Sequence, residues 1–165
     1  MTEREKVLSV LDSLGIEYKL ITHPAVHTIE DMDRLGIFND GYVCKNLFLR
    51  NANGKIHYVV SMLKDKHPDI QGELKPQLGS SRLSFGSDER LQKHLGLHPG
   101  EVSPFGIIND ENHEVQVVLD SELKTVDGLI GFHPNDCTAF VWLRFDDLMK
   151  YINHFGNDVI FVDVS

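Results

Sequence analysis

Apolar positions recur along this chain with two periods, and the change from one to the other marks the elements. Val7, Leu8, Leu11 and Leu14 fall at helical spacing with charged residues between them, which predicts an amphipathic first helix. Gly15 follows where a left-handed cap ends such a helix. Tyr18-Lys19-Leu20-Ile21-Thr22 then alternates as a short strand, and Thr28 with Asp31 three residues later predicts a helix start running to Leu35, stopped by Gly36. Two runs, Lys45 to Arg50 and Ile56 to Met62, flank Asn51-Ala52-Asn53-Gly54 and form the clearest hairpin in the sequence.

Leu74 and Leu78 in a polar stretch predict one further helix, and Ser87 caps another that carries Leu91 and Leu95 up to Gly96. Val115 to Leu119, Leu129 to His133 and Thr138 to Leu143 read as strands, the last two joined by a Pro134-Asn135-Asp136 turn. A helix from about Asp146 to Phe155, closed by Gly156, precedes a final strand, Val159 to Val162. The content is mixed α/β, and the hairpins argue against an all-parallel doubly wound sheet.

Length changes the picture only by setting a limit: 165 residues suit one domain, expected to span 1–165, because no Pro/Gly/Ser linker divides them. No window approaches a membrane-spanning run, and the charged start Met1-Thr2-Glu3-Arg4-Glu5-Lys6 does not resemble a signal peptide, so a cytoplasmic protein without a membrane partner is expected. Cys44 and Cys137 are too few for a disulfide framework and do not form a Cys-x-x-Cys pair.

Charge is more informative when resolved along the chain. The net charge of −9 is wrong for a general nucleic-acid binder, yet from Lys45 to Lys93 nine basic residues stand against five acidic ones, a balance of +4, while the remainder carries −13. A basic face for a polyanion and an unevenly sampled solvated surface both fit that asymmetry.

Several chemistries lack their motifs. There is no phosphate loop, no Gly-x-Gly-x-x-Gly after a strand and no Gly-x-Ser-x-Gly elbow. His94 and His98 are separated by Gly96 at a helix end, so their spacing need not put them on one face, and no metal site is expected. Cys44 beside Lys45 has no evident histidine base and reads best as a core thiol. What remains is the loop Gly100-Glu101-Val102-Ser103-Pro104-Phe105-Gly106 and the lysine of Cys44-Lys45-Asn46. A loop with glycine and proline can bring backbone groups close to a small ligand, and a lysine can add one positive charge; a plain turn and a solvated strand-end lysine are the alternatives.

Taken in order, the Tyr18 to His23-Pro24 segment, the Thr28-x-Glu30 entry, Lys45-Asn46-Leu47-Phe48-Leu49, Gly100 to Gly106 and Phe132-His133-Pro134-Asn135 resemble the YbaK and prolyl-tRNA synthetase-associated editing domains, in particular their free-standing ProX type. The resemblance spans nearly the whole chain. It implies a largely antiparallel sheet with surrounding helices and a trans-editing deacylase that hydrolyses alanine from mischarged tRNA for proline. A cysteine-specific deacylase and a non-catalytic binder of an amino acid or charged tRNA are the alternatives.

The same resemblance implies roles for individual residues. Lys45 would anchor the phosphate or ester carbonyl of the terminal adenosine, and Asn46 would orient the same end. The backbone of Gly100, Val102, Ser103, Pro104 and Phe105 would receive the substrate's α-amino group. His133 would position water or narrow the cavity, and Gly131 would let backbone approach. The vicinal ribose hydroxyl would assist hydrolysis, so no metal or organic cofactor is required. The implied partner is the acceptor end of aminoacylated tRNA, with prolyl-tRNA synthetase a transient second one. Met32, Ile37, Phe48 and Leu129 are candidate pocket walls that would serve equally well as core.

Overall fold

The computed structural model describes residues 1–25, 28–36 and 40–165. Helix α1, Glu3–Ser13, begins where the Thr2 hydroxyl accepts a hydrogen bond from the Glu5 amide, and it buries Val7 and Leu11 as its spacing demands. β1 covers Tyr18–Thr22. α2, Ile29–Arg34, opens with the Thr28 hydroxyl accepting from the Asp31 amide at 3.1 Å. The hairpin follows as β2, Tyr42–Arg50, and β3, His57–Leu63.

The helix expected around Leu74 and Leu78 is two pieces, a π-helical turn at Ile70–Leu74 and then α3, Lys75–Leu78. Asp69 caps the π turn by accepting from Gly72 N, and Pro76, which has no N–H to give a ladder, sits in the first turn of the short helix. β4 is only Ser84–Phe85, and α4 is Asp88–Leu95 with its Ser87 cap. Pro104–Asn109, expected as loop, is a 3₁₀ helix. β5 covers Gln116–Asp120, β6 Ile130–Phe132, β7 Ala139–Leu143, α5 Phe145–Phe155 and β8 Val159–Val162.

The strands form one mixed sheet in the order β1-β7-β6-β2-β3-β5-β8, with β4 also on β2. The pairs β1–β7, β2–β3, β2–β4 and β6–β7 are antiparallel, and β2–β6, β3–β5 and β5–β8 are parallel. β2 pairs with β3 on one edge from Cys44 opposite Leu63 to Arg50 opposite His57. Its other edge meets β6 only at Tyr42 and Val43 and β4 only at Leu49 and Arg50. Among the described residues, positions 44–47 therefore have no strand partner on that edge.

Alternation along each strand sends apolar residues to two faces. Phe48, Val59, Val117 and Leu119 join the larger core under α1, α4, α5 and the 3₁₀ helix, while Leu49, Tyr58, Val60, Met62 and Val118 join a second core with Leu74 and Val162. Val43, Phe140 and Trp142 make a third, smaller cluster near the open edge. No helix among the described residues is long and apolar enough to cross a membrane.

One buried polar contact ties the larger core to the loop that follows α4. The Tyr151 hydroxyl of α5 donates to the Phe105 carbonyl at 2.8 Å, and the Phe105 ring packs edge-on against Tyr151 and Phe132. Tyr151→Phe keeps the ring but strands a buried carbonyl, so it should lower the unfolding free energy by about 1–3 kcal/mol, read from urea denaturation.

Candidate active site

The open edge of β2 is also where a cleft lies. It has a volume of about 180 Å³ and is lined by Thr28, Val43, Cys44, Lys45, Asn46, Gly100, Val102, Phe132, His133 and Phe140. Neighbouring strand residues point to opposite faces. Lys45 and Asn46 can both reach the cleft because it opens on the edge between those faces.

Asn46 lies on the face of the larger core, opposite Ser61, whose hydroxyl donates to its Oδ1 at 2.6 Å. That bond leaves the Asn46 amide hydrogens available as donors. Lys45, opposite Met62, lies on the other face, and its ammonium donates to the Lys66 carbonyl. Among the described residues that is its one side-chain hydrogen bond, which leaves two of its three N–H groups for a ligand. Burial pulls the Lys45 pKa below the ordinary lysine value, and the Asp65 carboxylate opposes that shift.

The glycine loop supplies the far wall. Gly100 has φ +91°, a region L side chains rarely adopt, and the turn it sits in is closed by Glu101 N on the His98 carbonyl and His98 N on Glu101 Oε1. Gly100 and Val102 reach the cleft. Ser103, Pro104 and Phe105 are buried and do not line it; the Ser103 hydroxyl caps the 3₁₀ helix by accepting from Phe105 N at 3.0 Å. These three hold the loop in place from behind.

His133 closes the cleft from the β6 end. Its Nδ1 lies 2.8 Å from the Ala139 carbonyl, and because a carbonyl only accepts, Nδ1 carries the hydrogen and Nε2 is an acceptor in the neutral ring. Burial lowers the His133 pKa; His23, its ring 6.0 Å away, pushes the same way, while the Ala139 carbonyl and Asp136 oppose. Gly131 stands behind this wall. A Cβ there would run into the Phe140 ring and come within 2.8 Å of Trp142 Cε3, so the absent side chain makes room for two aromatic rings.

Other cleft residues carried little signal in the sequence. Val43, Phe132 and Phe140 are ordinary strand apolar positions, and Cys44, read as core, is a buried thiol in the wall whose pKa burial pushes well up. Phe48 stacks on His57 instead of lining the cleft, and Leu129 faces a different, larger cavity of about 530 Å³. Ile37 and the side chain of Met32 lie outside what the structure describes. Among the described residues no group of three or more His, Cys, Asp or Glu side chains is arranged to hold a metal ion.

The aminoacyl-tRNA editing domain model matches residues 23–151, which contain every cleft residue. The chain belongs to the aminoacyl-tRNA editing domain family. It is 46% identical over 157 residues, 95% of this chain and 94% of the relative, to the prolyl-tRNA editing protein ProX of Acetoanaerobium sticklandii. It is 32% identical to prolyl-tRNA synthetase associated domain-containing protein 1 of Danio rerio, covering 90% of this chain and 80% of that one. A crystal structure of a putative trans-editing enzyme for prolyl tRNA synthetase superposes with a TM-score of 0.75, at 18% identity over 100% of this chain and 98% of that one. The mixed sheet expected from the sequence is thus the fold of this family. Membership also agrees with the reading of the chain as an aminoacyl-tRNA deacylase.

Part of the basic segment, Arg50, Arg90 and Lys93, gathers around His57 at the far end of β2. Arg90 Nη1 donates to Gly54 O at 3.0 Å and to His57 Nε2 at 3.1 Å, and the His94 ring lies 3.9 Å from that of His57. Burial and then the charges of His94, Arg90, Arg50 and Lys93 lower the His57 pKa to about 4. The unfolded chain, with histidine near 6.5, binds a proton the folded protein refuses between those values, so stability falls as pH drops from about 6.5 toward 4. His57→Phe should flatten this acid limb in a plot of Tm against pH.

Proposed function

We propose that this protein is a trans-editing deacylase that hydrolyses alanine from mischarged tRNA for proline. The observation that carries the reading is the small cleft on the open edge of β2, where one lysine, one amide and a glycine loop meet. The ProX relative, named a prolyl-tRNA editing protein, supports the tRNA; the cleft supports the small amino acid.

The physical need is clear. A site shaped for proline cannot exclude the smaller alanine by clash and loses only the contacts of missing methylenes, about 1–3 kcal/mol. A second, smaller site inverts the test and rejects the ring sterically. In the cleft the Lys45 ammonium meets the negative charge of the terminal adenosine's phosphate or of the developing oxyanion. Asn46 orients the same end, and backbone of the Gly100–Val102 stretch receives the α-amino group. His133 Nε2 accepts a hydrogen bond from water or from the substrate, and the ribose hydroxyl next to the ester assists its hydrolysis. The acceptor end is the part of tRNA engaged, the protein acts in the cytoplasm, and prolyl-tRNA synthetase is a transient partner.

Wild type should release alanine from Ala-tRNA for proline well above the buffer rate while sparing Pro-tRNA, and Lys45→Ala should cut that rate by about 10²–10³-fold with the fold retained. Cys-tRNA hydrolysed faster than Ala-tRNA would reassign the specificity, and no ester loss above background would leave a binding module. With few phosphate contacts, the logarithm of kcat/KM should fall with the logarithm of salt at a slope no steeper than about −3.

A further inference from the structure

We propose that Lys66 is a positioning residue for Lys45, setting where its ammonium stands in the cleft. The inference rests on the reading of Lys45 as the substrate's cationic anchor. Lys45 leaves β2 on the face away from Asn46 and is caught at its tip by the carbonyl of Lys66, three residues past β3. Whatever fixes that carbonyl fixes the ammonium.

Lys66 is fixed through its own side chain. Its Nζ donates to the Val164 carbonyl at 2.9 Å and lies 2.5 Å from Glu122 Oε2 and 3.5 Å from Asp120 Oδ2. Asp120 is 2% exposed at the end of β5. Its Oδ1 accepts from Glu122 N at 3.2 Å, while its Oδ2 has no hydrogen-bond partner among the described residues, so the nearby Lys66 charge compensates a buried carboxylate. An exposed lysine pair contributes almost nothing, but removing the partner of a buried charge leaves that charge uncompensated. The backbone is held as well: Lys66 N donates to Leu63 O at 3.1 Å and His67 N to Ser165 O at 2.8 Å. The turn after β3 is therefore clamped between the end of β5 and the segment after β8, and the Lys66 carbonyl is the clamp's contact with the cleft.

A displacement of about 1 Å in a positioned group can cost on the order of 10²-fold in rate. Lys66→Met keeps the stem and removes the charge. It should lower single-turnover deacylation of Ala-tRNA for proline at least ~10-fold, mostly in kcat, and Lys66→Arg should recover part of the loss. The decisive comparison is in the Lys45→Ala background, with enzyme in excess over long times: there Lys66→Met should cost nothing more, because the group it positions is gone. Glu122→Gln, a change at an exposed side chain, should show a smaller loss with the same dependence on Lys45, and it serves should Lys66→Met fail to fold.

A second readout needs no turnover. Lys45, released from the Lys66 carbonyl, should be acetylated several-fold faster in Lys66→Met and in Glu122→Gln than in wild type, as measured by peptide mass mapping, and Lys66→Arg should reverse the gain. Losses that multiply across Lys45→Ala and Lys66→Met, or unchanged Lys45 acetylation, would overturn the inference while leaving the Lys45 reading standing. Full activity in Lys45→Ala would overturn the Lys45 reading, and the inference with it.

Discussion

The site depends on a parallel pairing that stops early. β6 stays beside β2 for two residue pairs, Tyr42 with Ile130 and Val43 with Gly131, and then departs. Backbone N–H and C=O groups left without a strand partner at a sheet edge are costly when buried and useful when a ligand can meet them. Here the departure opens the stretch of β2 that contains Lys45 and Asn46. β4, only two residues long, resumes the edge at Leu49, and the Gly86 amide donates to the Phe48 carbonyl just before it. The opening is therefore short, which keeps the cleft small.

The walls of that opening are held by contacts outside it. Phe140 and Trp142 of β7 fill the space that a side chain at Gly131 would take, and His133 is pinned by its Nδ1 hydrogen to the Ala139 carbonyl on the same strand. On the opposite side the glycine loop is backed by the buried Ser103-Pro104-Phe105 and by Tyr151 of α5. Lys45, Asn46 and His133, which line the cleft, are thus half-exposed, and the groups that fix them are apolar, buried or hydrogen-bonded to backbone. Such preorganisation lets a single cation and a few dipoles act without rearranging.

Charge is arranged on the same strand. β2 runs from Lys45 at the cleft to Arg50 beside Arg90, Lys93 and the neutral His57, a span of about 17 Å at the usual strand rise. An acidic chain of net charge −9 thus keeps these four basic groups in line with the cleft. A polyanion meets attraction along that line and repulsion over much of the remaining surface.

Much of the fold was legible in the residues, because local rules governed those parts. The Thr28 and Ser87 caps, the Gly96 and Gly156 stops and the β2–β3 hairpin follow from short-range hydrogen bonding and backbone freedom. The π turn at Ile70–Leu74 and the 3₁₀ helix at Pro104–Asn109 were not legible, since both are settled by what packs on them. Lys45, Asn46, Gly100, Val102 and His133 could be singled out by residue type and family pattern, and the structure brings them to one cleft. Their neighbours Val43, Phe132 and Phe140 look like any strand residues, and Gly131 serves ring packing, which no local signal announces. The hold of Lys66 on Lys45, and of Asp120, Glu122 and Val164 on Lys66, joins residues up to 98 positions apart. Sequence by itself determined the elements and the chemistry available, because those act over a few residues; tertiary structure alone decided which side chains meet, because strand order and the early parting of β6 from β2 are set by packing across the whole sheet.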